Sequence, residues 1–174
     1  MAIRPVMAAV LLAASAVFAV ACGGGGGSGE AFAFRCPARI MAKSALAEGN
    51  MNPASTSVTV PRGADRLLLC RYGTRKHPPG PPVRHRLVRD PQTITQTATA
   101  LNGIPASAEA MPCLEAGEIA IYAVFGYRKA DPVVVELRPY GCFNSTNGHV
   151  EGDYTVAKGF GPMLHLLGLS SRAR

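Results

Sequence analysis

The chain has 174 residues, 48% of them hydrophobic and 17% charged, and its 18 lysines and arginines outnumber 11 aspartates and glutamates for a net charge of +7. That length and apolar content suit one ordinary domain with a buried core. No hydrophobic run beyond the first twenty or so residues is long enough to span a bilayer, which excludes a multi-spanning protein.

Residues 1–5 carry one positive charge, Arg4, and residues 6–20 are an uncharged run of Val, Met, Ala, Leu, Ser and Phe. At about fifteen residues the run falls below the roughly 20 of a permanent membrane helix and reads as an export signal. Ala19 and Ala21 are the small residues a signal peptidase inspects, so residues 1–21 are expected to be removed and Cys22 to become the N-terminus. The order Ala19-Val20-Ala21-Cys22-Gly23 resembles the lipobox of bacterial lipoproteins, whose cysteine thiol receives a diacylglycerol. The resemblance implies lipidation at Cys22 and anchoring on the extracytoplasmic face of the cell membrane. Ala19 stands where lipoboxes usually carry leucine, and the same residues suit an ordinary signal peptidase, so a secreted, unlipidated protein is the alternative.

Residues 23–29 are glycine except for Ser28. Such a stretch is expected to be a coil with a reach of about 5–6 Å × √n, so residues 22–30 read as a lipid-bearing tether. Setting Cys22 aside leaves Cys36, Cys70, Cys113 and Cys142, an even set that suits two disulfides in an exported chain. No two form a close pair of the C-x-x-C kind, so a metal site is not expected. Of three possible connectivities, Cys36–Cys70 and Cys113–Cys142 are preferred. The first ties an N-terminal arm to a core strand and the second closes the base of a hairpin.

Residues 31–56 read as an irregular arm lying on the domain, with a helical turn at 40–46 before the breaker Asn50-Met51-Asn52-Pro53. Residues 57–60 alternate as a short strand, 61–65 have turn chemistry, and RLLLCRY at 66–72 reads as a central strand. Residues 73–82 hold two glycines and four prolines, a stiff loop, after which 83–89 resume in extended form. Asp90 and Pro91 supply an N-cap and first helical position, Ile94, Ala98 and Leu101 follow at helical spacing, and Asn102-Gly103 with Pro105 stop the helix. Residues 118–127 and 133–140 form a hairpin whose second strand puts Val133, Val135 and Leu137 inside. Val134, Glu136, Arg138 and Tyr140 then fall on a wet face. Residues 149–156 alternate again, and Gly161-Pro162 opens a short apolar helix over 163–169. The domain, 57–170 with a tail at 171–174, is expected to be α+β: one antiparallel sheet of about four to five strands with two helices packed on one side.

Ala64 to Gly73, Leu87-Val88-Arg89-Asp90, Leu101-Asn102-Gly103-Ile104-Pro105, Pro112-Cys113, Gly141-Cys142 and Asn147-Gly148, in that order, resemble a group of actinobacterial secreted proteins and lipoproteins of unassigned function. The resemblance covers roughly residues 58–169. It implies an extracytoplasmic compartment and paired cysteines and nothing about catalytic residues.

Chemistry-bearing motifs are few. Neither a G-x-S-x-G elbow, a P-loop nor a dinucleotide fingerprint occurs, and no cofactor is expected. Asn144-Ser145-Thr146 fits the N-glycosylation pattern, but in a bacterial lipoprotein it reads as a turn. His149, Glu151 and Asp153, two residues apart on one strand, can bind a divalent cation or share a proton, although an ordinary solvent-facing strand has the same pattern. His165, within the apolar helix, reads as a hydrogen-bonded core histidine. Arg62, Arg66, Arg71, Arg75, Lys76, Arg84, Arg86 and Arg89 fall in one segment with Asp65 as its only acid. Outside a cell the partners for such charge are lipid headgroups, phosphate-bearing wall polymers or an envelope protein rather than nucleic acid, with about 1 kcal/mol per basic residue near a charged membrane. Arg75, Lys76, Arg84 and Arg86, gathered around the 73–82 loop, are the expected contact, and a merely solvated hairpin is the other reading. The expected function is a non-catalytic binding module of the envelope. A small hydrolase or metal-dependent enzyme using His149, Glu151 and Asp153 is the alternative.

Overall fold

RLLLCR becomes the second strand of a six-stranded antiparallel sheet. A computed structural model describes residues 31–73, 80–105, 119–139, 144–153 and 161–168. The elements are α1 (Lys43–Gly49), a 3-10 turn (Pro53–Thr56), β1 (Arg66–Arg71), β2 (Arg84–Val88), α2 (Pro91–Asn102), β3 (Ile121–Gly126), β4 (Val133–Arg138), β5 (Asn144–Thr146), β6 (Glu151–Asp153) and α3 (Gly161–Leu166). The sheet order is β2-β1-β3-β4-β5-β6. Cys22, Arg75, Lys76, Cys113 and Cys142, and with them the expected tether and second disulfide, lie outside the described residues.

Alternation along each strand divides the core in two. On one face Leu67, Leu69, Ile121, Ala123, Phe125, Val133, Val135 and Leu137 pack against Ile94 and Leu101 of α2 and against Leu164 and Leu167 of α3 and its end. Helix α2 starts where expected because the Asp90 carboxylate accepts the Thr93 amide at 2.7 Å and Pro91 needs no amide partner. On the other face Cys70, Tyr72, Tyr122, Val124 and Val134 are covered by the arm through Leu46 of α1, Phe32, Phe34, Ile40 and Met41. A disulfide between Cys36 and Cys70, with 5.8 Å between the Cα atoms, pins that arm to β1. Constraining the unfolded chain in this way stabilises by about 2–4 kcal/mol.

The architecture is thus α+β with a single antiparallel sheet, and three expectations need correction. The strands number six, because Asn144–Thr146 is not a turn but a short strand pairing with Glu136–Arg138 on one side and Glu151–Asp153 on the other. The two expected helices, α2 and α3, do share one face, and α1, within the arm, covers the other. The outer face of β4 is not wet, since Val134 is fully buried and Glu136 only 3% exposed beneath the arm. Residues 57–60, expected as a strand, have no sheet partner among the described residues and run as a turn and bends.

What holds those bends is a set of asparagine side chains. Asn102 accepts the Val60 amide and donates to the Val60 carbonyl, both at 2.8 Å, as a neighbouring strand would. Asn50 does the same for β4, accepting Val134 N–H at 2.7 Å and donating to its carbonyl at 2.8 Å. Asn147 is fully buried and its amide nitrogen faces the carbonyls of Ser55, Val58 and Thr59. Its oxygen accepts the amides of His149 and Val150, which folds the β5–β6 turn around it. The next residue, Gly148, has φ of +92° and lies against the α1 backbone at Ala47, where a Cβ would collide.

Asn147→Ala strands several buried backbone groups at once. A loss of about 3 kcal/mol is expected from urea unfolding, since each unmet buried polar group costs about 1–3 kcal/mol. Asn144→Ala on β5, which is half-buried and loses only a 3.4 Å contact to Glu151, should cost far less.

Candidate functional site

The structure does not line up the His149, Glu151 and Asp153 trio. His149 is exposed in the turn organised by Asn147, ahead of β6 rather than on it. Glu151 spends its carboxylate on Lys43 of α1, an ion pair across the sheet edge, and on Asn144 at 3.4 Å. Among the described residues no three His, Cys, Asp or Glu side chains are grouped so as to hold a metal ion. His165 is exposed on α3, not in the core, which corrects its reading as a core histidine.

Sheet register instead builds a polar row beneath the arm, running from Tyr122 through Glu136 and Thr146 to Glu151. The Tyr122 hydroxyl donates to Glu136 Oε2 at 3.0 Å and accepts the Met41 amide of the arm at 2.8 Å. The other oxygen of Glu136 receives Arg138 Nε at 2.7 Å. Tyr72 meets Tyr122 edge-on, with ring centroids 5.2 Å apart, and its hydroxyl donates to the Pro37 carbonyl. Burial pushes the phenols of Tyr72 and Tyr122 well above their ordinary value, and for Tyr122 the Glu136 charge adds to it. Every polar atom named in this row has a partner, so the row clamps the arm and leaves neither a free base nor a free acid.

The basic residues divide between the two ends of β1. At its start Arg66 stacks on Phe34 of the arm, 4.5 Å from the ring centroid, and Arg128 Nε binds Asp65 at 3.0 Å. Arg62 is exposed in the preceding turn, on the lip of a groove of about 570 Å³ floored by Ala64, Ile94 and Ala98. Arg89 follows β2 at this same end. At the other end Arg71 stands directly opposite Arg84, and Arg86 lies opposite Leu69, so all three share the helix-bearing face. Arg84 and Arg86 are exposed and Arg71 is half-buried. Of the expected contact set Arg75, Lys76, Arg84 and Arg86, the structure therefore places Arg84 and Arg86 together. It adds Arg71, whose position only the hairpin register reveals. Folding RLLLCR back on RHRLV as a tight antiparallel pair would have exposed the Arg71–Arg84 coincidence in the sequence. Glu136, the lone acid inside VVVELR, was the visible sign of the buried row.

No family model, curated protein or solved structure matches this chain. Among the described residues no helix is long and apolar enough to cross a membrane.

Three buried phenols make the fold sensitive to alkali. Tyr72, Tyr122 and Tyr127 have raised pKa values in the folded chain, chiefly from burial, while in the unfolded chain they ionise near 10.0. The folded state therefore keeps protons that the unfolded state loses, and stability is complete below about pH 10 and falls as pH rises beyond it. A spectrophotometric titration should show their tyrosinate absorbance appearing together with loss of circular dichroism, not before it.

Proposed function

We propose that the protein is an exported, lipid-anchored module of the cell envelope that binds rather than catalyses. The observation that carries this reading is the Cys36–Cys70 bond, which locks the arm to the central strand. Disulfides of this kind belong to oxidising compartments, in agreement with the signal-like residues 1–21. Cys22 carries the diacylglycerol in this reading, and the nine residues 22–30 reach at most about 30 Å to the first described residue.

The arm enters the domain at one end of the sheet. The Phe32 amide donates to the Gly49 carbonyl, one residue before Asn50 and its bonds to Val134, and Phe34 lies over Gly126 and Arg66. The β1–β2 hairpin with Arg84 and Arg86 projects from the opposite end. With the tether attached at the first end, the basic hairpin lies at the end of the sheet farther from the anchor. Its partner there is a phosphate-bearing wall polymer, attracted over a Debye length of about 8 Å at physiological salt.

Two measurements test this reading. Cys22→Ser should abolish lipid labelling and release the chain to the medium or leave the precursor uncut, and a variant that stays in the membrane fraction with unchanged mass refutes the anchor. Reversing Arg75, Lys76, Arg84 and Arg86 to glutamate should remove binding to isolated cell walls, as high salt should for the unaltered protein. Retention after the reversal and in high salt refutes the docking surface.

A further inference from the structure

We propose that Arg71 and Arg84 form a seat for a phosphate-type oxyanion, the phosphodiester or phosphomonoester group of an anionic polymer. The reading of the hairpin as a docking surface supplies the biological source of that group, and the proposal rests on it for that alone.

The first argument is register. Arg71 and Arg84 are direct cross-strand partners at the open end of the hairpin, and Arg86, two residues on, projects from the same face. Like charges facing each other across an antiparallel pair repel and destabilise it. An anion between them converts that repulsion into two attractions. Among the described ion pairs, acids engage Lys43, Arg66, Arg128 and Arg138, and none engages Arg71, Arg84 or Arg86. The acidic side chains therefore do not neutralise the pair within the described residues.

The second argument is an unmet donor. Arg71 Nε is buried and has no hydrogen-bond partner among the described residues, on a strand flanked by fully buried Leu69 and Ile121. Buried donors nearly always find acceptors, and a guanidinium N–H is an expensive one to leave empty. An oxyanion supplies the missing acceptor once the half-buried side chain turns outward by a rotamer, since Nε exposes no surface as it stands.

The third is confinement of Arg84. Its Nη1 lies against Gly168, just beyond α3, where φ is +68° and any Cβ would collide with the guanidinium. Gly168 thereby leaves room for the Arg84 head on the helix side of the sheet, the side that Arg71 shares. Planar guanidinium groups bind oxyanions through paired N–H donors, and two of them across one strand spacing suit a tetrahedral anion with several acceptor oxygens better than a single carboxylate.

The test is thermal unfolding of the full, disulfide-intact chain in inorganic phosphate against chloride of equal ionic strength, with calorimetric titration of phosphate. At ten times its Kd, phosphate should raise Tm by about 3–6 °C. Arg71→Gln and Arg84→Gln should each weaken phosphate binding at least about tenfold, the loss of one charge-assisted guanidinium contact, and abolish the rise. Arg62→Gln, at the far end of β1, should keep both. In chloride, Arg84→Gln should not lower Tm, because it removes one of two opposed charges. An equal rise in wild type and Arg71→Gln, or no heat of binding at millimolar phosphate, overturns the seat. If phosphate binds at the pair while wall association survives charge reversal, the seat stands and the envelope reading falls. If walls release the reversed chain but phosphate does not bind, docking is diffuse and the seat is overturned.

Discussion

A side-chain amide carries the same donor and acceptor as a peptide group, and this protein uses that equivalence to attach a segment that is neither strand nor long helix. Residues 50–60 cross one end of the sheet with backbone groups that no ladder satisfies. Asn102 pairs with Val60, Asn50 with Val134, and Asn147 with the carbonyls at 55, 58 and 59. Each unmet group would cost about 1–3 kcal/mol, enough in sum to detach the segment. With it would loosen the cover over Tyr72, Tyr122 and Val134, because residues 50–60 follow α1 directly, while the preceding arm stays tied through Cys36–Cys70. The second core therefore depends on three amides as much as on its own apolar contacts.

The same dependence explains what was legible in the sequence. β1, β3, β4 and α2 have local causes: apolar or β-branched runs of strand length, and an aspartate before a proline at a helix start. Asn144–Thr146 has none, being three polar residues that are extended only because β4 and β6 flank them. The reverse holds for residues 57–60, where alternation favours a strand but the neighbour supplied by the fold is the side chain of Asn102. Alternation in β4 correctly separated Glu136 from Val135. It could not tell water from Tyr122 and Arg138 as the partner of a carboxylate, because pattern records polarity and not what meets it. For the basic segment, composition showed the excess charge, whereas pairing decided which arginines meet. The preferred Cys36–Cys70 link was readable because an arm and a core strand each contributed one cysteine.

The clamp and the hairpin divide the labour of the domain. Tyr122, Glu136 and Arg138 are satisfied among themselves and the arm, so they hold shape. Arg71, Arg84 and Arg86 face one another without an acid among the described pairs, so they hold charge. Fully paired polar groups thus lie on one face, and an arginine cluster without an acid among the described pairs lies at the hairpin end.

The bridge from Cys36 to Cys70 also sets the path of mechanical load. A pull applied upstream of Ala31 passes through five residues to Cys36 and then crosses covalently into β1 one residue before its end, bypassing residues 37–69. Strand β1 is held on both sides, by β2 and β3, so the force shears two ladders instead of peeling the arm away one contact at a time. The asparagine-held segment lies inside the closed loop and is shielded from tension. Hydrogen bonds too weak to bear a load can for that reason still define the resting shape of a domain pulled from its N-terminus.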